Sequence, residues 1–185
     1  MNILDLIKKR RSIRKFKNIP ILNKDIIDLI ESGIYAPSGS NTQCYRFIII
    51  ENKEDIKFLA KSKLWTIANA PLVIMVVANL LGCPYLYGKR SSEFDKLPYQ
   101  DCAMAMQNIC LVAESKKLGS CVIHLSKNIS NAIEIQKHFK LEPYHELMGL
   151  VLIGYPDEVV DYKTVTHAGR PIKRNEIADY ILEWR

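Results

Sequence analysis

Between Asp101 and Glu114 the chain carries no charged side chain, in the run Cys102-Ala103-Met104-Ala105-Met106-Gln107-Asn108-Ile109-Cys110-Leu111-Val112-Ala113. The stretch Tyr99–Lys117 reads as a helix. A helix that is apolar around most of its surface must be covered on more than one side. Two arrangements supply the cover: a place at the centre of its own chain's core, or burial partly by another subunit, which is the preferred reading. The chain has 185 residues, 48% of them hydrophobic and 25% charged. These values suit one globular domain over residues 1–185 and argue against disorder. The longest apolar run, near Pro71–Ala78, suits a buried strand and falls short of the roughly 18 residues of a membrane helix. Met1–Ile7 reads as a short amphipathic helix without the features of a signal peptide, so a cytoplasmic location is expected. Cys44, Cys83, Cys102, Cys110 and Cys121 are odd in number and scattered, so neither a disulfide nor a metal site is expected.

Helical and extended patterns alternate irregularly around that helix. Asn23 is a fair N-cap for a helix carrying Ile26, Ile27, Leu29, Ile30 and Ile34. Cys44–Ile50, Leu72–Val77, Ser120–Leu125 and Leu147–Gly154 read as strands. Further helices are expected at about Lys53–Asn69, Asn131–Lys140 and Glu176–Glu183, and a long loop at Leu80–Pro98. Such an order favours a three-layer α/β or α+β domain.

The charge is as uneven as the hydropathy. Seven of the ten residues Lys8–Lys17 are basic; 26 Lys and Arg, less those seven, leave 19 against 20 acids, so the net +6 is local. A charge run is by default a solvated surface, but Ile13 and Phe16 interrupt this one and anchor it to a core. Arg14 and Lys15, as neighbours, would face opposite sides of an extended backbone. Anchored guanidinium groups beside the hydroxyl of Ser12 suit a phosphate. A nucleic-acid contact by residues 8–17 is the competing class and would bring steep salt dependence.

Three further segments carry polar chemistry. Ala36-Pro37-Ser38-Gly39-Ser40-Asn41-Thr42-Gln43 is either a plain helix-ending loop or a set of amides and hydroxyls for the edge of a heterocycle. It is no P-loop, and no G-x-G-x-x-G occurs in the chain. Leu118-Gly119-Ser120-Cys121-Val122-Ile123-His124 enters a buried strand; alone, its His and Cys read as structural. Arg170-Pro171-Ile172-Lys173-Arg174 is a second basic knot that could converge on the same anion.

Taken in order, these segments resemble the FMN-dependent nitroreductase family. Arg10-Arg11-Ser12-Ile13-Arg14-Lys15-Phe16 is similar to its R-R-S-x-R-x-F motif, and Ala36–Gln43 to its A-P-S-x-x-N-x-Q loop. Asp101–Asn108 resembles its D-x-A-x-A-x-Q-N helix, Leu118–Cys121 its G-L-G-S-C turn, and Gly154-Tyr155-Pro156 its G-Y-P strand end. Lys173-Arg174 is similar to the terminal K-R segment. Val122 stands where relatives usually carry a larger aromatic, and residues 80–98 hold no family signature, which leaves substrate choice open.

The resemblance implies a nitroreductase-like α+β fold: a central, mostly antiparallel sheet between helices, in a homodimer with exchanged terminal segments. It implies FMN, with NADH or NADPH as donor, and ping-pong hydride transfer to nitroaromatic, quinone or similar small acceptors. Dehalogenation, azole oxidation and flavin fragmentation are other chemistries of related scaffolds. Arg10, Ser12 and Arg174, supported by Arg11 and Lys173, would hold the FMN phosphate, and Arg14 would lie near the ribityl chain or pyrimidine edge. Pro37, Ser38, Ser40, Asn41 and Gln43 would come from the second subunit. Ser120, Cys121, Val122, Ile123 and His124 would pass near flavin N5. The reaction would take place on the flavin, so no side chain is assigned a catalytic role.

Overall fold

The computed structural model describes residues 2–61, 66–82, 96–125, 132–159 and 176–183. Five α-helices lie in these stretches: α1 Ile3–Lys9, α2 Asn23–Ile34, α3 Lys53–Ala60, α4 Leu97–Ser115 and α5 Ala132–His138. Four strands, β1 Tyr45–Ile50, β2 Leu72–Asn79, β3 Gly119–His124 and β4 His145–Gly154, form one sheet in the order β1-β2-β4-β3. Every neighbouring pair is antiparallel.

The central strand β2 shows why there are three layers. Its side chains alternate between faces. Leu72, Ile74, Val76 and Ala78 join a core with α2 and α4, while Val73, Met75 and Val77 join a second core with α3 and α5. Both faces are covered, so the strand is an unbroken apolar run. Helix α4 lies in the first core and buries Cys102, Ala105, Met106, Ile109, Cys110 and Ala113, a stripe at helical spacing. Its outer flank, with Ala103 and Gln107 exposed, is equally uncharged. The helix is thus a core element of its own chain along one side, and the other side is left uncharged.

Four local expectations differ from the structure. Asn23 is the first residue of α2 rather than its cap; Leu22 takes that place, with no side-chain bond to the helix end. The helix expected at Lys53–Asn69 stops at Ala60, and Ile67–Asn69 is a separate 3₁₀ turn. Ala70 precedes Pro71, which drives it into extended backbone. Pro98 lies inside the first turn of α4 instead of in the preceding loop, a position where its missing N–H costs nothing. The last helix is reduced to a 3₁₀ turn, Ile177–Tyr180, whose apolar side chains are exposed and so have no core to extend against. Cys44, Cys102, Cys110 and Cys121 are buried free thiols; Cys83 lies outside the described residues.

Candidate functional site

The basic segment is mounted on the sheet by its backbone. Ser12 pairs with Ser120, Ile13 N donates to Ser120 O at 2.9 Å, Phe16 pairs with Pro156, and Lys17 N donates to Tyr155 O at 2.9 Å. These are isolated bridges from the segment to β3 and to the residues just past β4, not a strand. Ile13 and Phe16 fill the second core. Both rest on glycines: a Cβ on Gly119 would meet the Ile13 Cβ at 2.8 Å, and one on Gly154 would meet the Phe16 Cδ1 at 2.7 Å. Glu158 completes the mount, its Oε1 accepting from Arg14 N at 2.5 Å and Lys15 N at 3.1 Å.

That mount sorts the seven charges. Lys8, Lys9, Lys15 and Lys17 are exposed, whereas Arg10, Arg11, Ser12 and Arg14 are half-buried. Lys9 reaches Glu114 of α4 at 3.5 Å. Arg11 turns back on its own backbone, with Nη1 donating to Lys8 O and Arg10 O. Arg10 lies close enough to Cys110 and Cys121 to favour their thiolates, and Arg14 does so for Cys121. Burial outweighs these cations and pushes both thiols above their ordinary range. Arg10, Ser12, Arg14, Ser120 and Cys121 are therefore brought together. Val122 and Ile123, half-buried, and the exposed His124 follow along β3.

The loop Pro37–Gln43 is held quite differently. Tyr45 spans its entrance, its hydroxyl donating to Ile34 O at 3.0 Å and Ala36 O at 2.8 Å. Inside, Asp101 of α4 accepts from Gly39 N at 3.1 Å, Thr42 Oγ1 at 3.3 Å and the Cys44 thiol at 3.8 Å. Gln43 N donates to Ser38 Oγ, and Gln43 Nε2 to Asn41 Oδ1, both at 2.9 Å. Ser40, Asn41 and Gln43 have φ of 50°, 55° and 47°. Left-handed backbone costs roughly 1–3 kcal/mol at a non-glycine residue, and a hydrogen bond to a charged group contributes roughly 1.5–3 kcal/mol. The Asp101 bonds are thus of the size needed to hold the loop in this shape.

Loop and basic segment engage different stretches of α4. Asp101, which holds the loop, and Glu114, which pairs with Lys9, are thirteen residues apart on α4, about 20 Å along the axis. Lys173 and Arg174 lie outside the described residues. Among the described residues there is no group of His, Cys, Asp and Glu that could hold a metal, and no helix long and apolar enough to cross a membrane. Asp101 and Glu158 are supporting residues that the site assignment from sequence missed. Asp101 had a signal, as the lone charge heading an uncharged helix; Glu158 had none.

Residues 7–155 match the family described as the Nitroreductase family, and the chain belongs to it. The oxidoreductase class expected from its motifs goes with that membership. A Methanothermobacter thermautotrophicus protein provisionally named NADH dehydrogenase/NAD(P)H nitroreductase is 26% identical over 163 residues, 85% of this chain and 79% of its own length. Among solved structures, an FMN-dependent nitroreductase of Clostridium difficile R20291 has a TM-score of 0.72 at 26% identity, with 88% of this chain and 97% of that chain covered. A provisionally named NADH oxidase of Clostridium acetobutylicum has a TM-score of 0.78 at 26% identity, covering 98% of this chain and 100% of that one. The three-layer α+β architecture is the nitroreductase-like fold.

Proposed function

We propose that the chain is an FMN-dependent oxidoreductase that draws on NADH or NADPH and reduces nitroaromatic, quinone or similar small acceptors, as a single-domain protein working as a homodimer in the cytoplasm. The observation that carries this reading is the pair Arg10 and Arg14, half-buried beside Ser12 on a backbone pinned to β3. Fixed guanidinium groups and a hydroxyl suit a phosphate monoester. The donor set therefore fits FMN. Arg10 and Ser12 would hold the phosphate, with Arg174, and with Arg11 and Lys173 in support. Arg14 would lie toward the ribityl chain or pyrimidine edge, where a cation favours the reduced ring. When bound, FMN supplies the two-electron chemistry, taking hydride from the nicotinamide and passing it to the acceptor. The chain's own part is to grip, orient and enclose.

The separation along α4 supports a second subunit. Two chains packed about a two-fold axis across this helix would set the loop of one beside the basic segment of the other. Pro37, Ser38, Ser40, Asn41 and Gln43 would then reach the partner's flavin, alongside Ser120–His124. The uncharged flank of α4 and the exposed Ile3, Leu4 and Ile7 of α1 support burial of this face.

Arg10→Ala tests the phosphate site. FMN affinity should fall by about 1–3 kcal/mol, the loss of a charge-assisted hydrogen bond, read by quenching of flavin fluorescence. Unchanged flavin occupancy would remove the assignment. The purified protein should be yellow and bleach on addition of NADH or NADPH; a colourless chain that ignores added FMN refutes the reading.

A further inference from the structure

We infer that Asp101 is the positioning residue of the Pro37–Gln43 loop, holding it in the shape in which it meets the flavin bound by the other chain. This rests on the FMN and homodimer reading above.

Asp101 is 2% exposed and is the sole Lys, Arg, Asp or Glu on α4 before Glu114. A carboxylate taken out of water is costly unless hydrogen bonds replace its hydration. Here all three described donors, Gly39 N, Thr42 Oγ1 and the Cys44 thiol, belong to the loop or its exit, and none is a cation. They bracket the left-handed Ser40, Asn41 and Gln43. Charge and loop therefore depend on each other. If the loop relaxes toward ordinary backbone, a buried carboxylate is stranded; if the carboxylate is lost, only the ties at the two ends of the loop, from Tyr45 and Arg46, oppose relaxation. Of the remaining bonds, those from Gln43 to Ser38 and to Asn41 lie within the loop, while Arg46 Nη1 and the Tyr45 hydroxyl, both on β1, hold only its two ends, at Gln43 O and Ala36 O, so Asp101 is the tie to its middle. Asp101 itself stands nine residues along α4 from Cys110, beside which Arg10 of its own chain lies, a separation of about 14 Å along the axis. Its influence on the flavin would thus be exerted on the partner's site.

The test is a mixed dimer read by bound flavin rather than turnover. Asp101→Asn replaces an acceptor oxygen by a donor, and its homodimer should bind FMN about tenfold or more weakly, a change equivalent to about 1.4 kcal/mol or more. Co-expressing differently tagged Asp101→Asn and Arg10→Ala chains gives a dimer in which both defects fall on one site. The other site joins an intact basic segment to an intact loop. One tightly bound FMN per mixed dimer, measured by flavin absorbance after desalting, is the expected result. A folded mixed dimer with no tight site would show that Asp101→Asn also spoils its own chain's basic segment, and would overturn the inference. Wild-type FMN affinity in the Asp101→Asn homodimer would overturn it too, while leaving the FMN reading intact. Failure of the unaltered protein to bind FMN would overturn that reading itself. Thr42→Val removes one of the same hydrogen bonds from the loop side. It should give the same one-site pattern with a weakening of several-fold, and it serves where Asp101→Asn yields no folded protein.

Discussion

The segment Arg10–Lys17 and the loop Pro37–Gln43 carry polar groups for one ligand, but the first is held by its backbone and the second by side chains. In the basic segment, Ser12, Ile13, Phe16 and Lys17 are tied to main-chain atoms of β3 and the end of β4, with Ile13 and Phe16 sunk in the core. In the loop, the ties come from the Asp101 carboxylate, the Tyr45 hydroxyl and the Arg46 guanidinium. Main-chain bonds survive most substitutions, so packing is the weak point of the segment. Side-chain ties vanish with one residue, so polarity is the weak point of the loop.

Phe16→Ala attacks the packing and should have the largest effect. Phe16 is 7% exposed, and truncating a buried Phe costs about 3–5 kcal/mol. Urea denaturation followed by circular dichroism gives the number; a loss under about 1 kcal/mol would mean that backbone bridges alone hold the segment. Tyr45→Phe attacks the polarity at smaller cost, about 0.5–1.5 kcal/mol for the lost hydrogen bonds. Hydrogen exchange should quicken across residues 36–43 and stay unchanged across 10–17. Equal quickening in both regions would break the contrast.

The smallest expected effect is a difference in alkaline slope. Burial raises the thiol of Cys110 above its ordinary value of 9.0 in the folded chain. Unfolded thiols then lose their protons first as the pH rises past 9, and stability falls from that point upward. Cys110→Ala should flatten this fall in unfolding temperatures taken between pH 8 and 10.5. Tyr45 adds a second fall above pH 10, since its hydroxyl is also raised by burial and then by Asp101. An unchanged slope in the Cys110→Ala protein would show that the thiol by the basic segment does not titrate with unfolding.

Most of this architecture was legible in the residues, for reasons that differ by element. The four strands and α4 stand out because each is a long apolar run or stripe, and burial is what such runs require. Short elements failed where a neighbour decided the matter. Pro71 holds Ala70 extended and so caps the 3₁₀ turn at Ile67–Asn69, while Ile177 and Tyr180 of the tail are exposed among the described residues. Motif order brought Arg10, Ser12 and Arg14 together with Ser120. It could not reveal that Arg11 bends back onto Lys8 and Arg10, or that Glu158, 144 positions from Arg14, braces the segment.

By itself, the sequence determined which residues must be buried and where the anion-binding groups are concentrated, because hydropathy and charge are properties of each side chain. The tertiary structure alone decided how those groups are held and which of them can reach one another. Gly119 and Gly154 are bare so that Ile13 and Phe16 can close on the sheet, and the buried Asp101 finds its hydrogen-bond donors in a strained loop. Both depend on distances between segments remote along the chain, and such distances exist only once the two cores have formed.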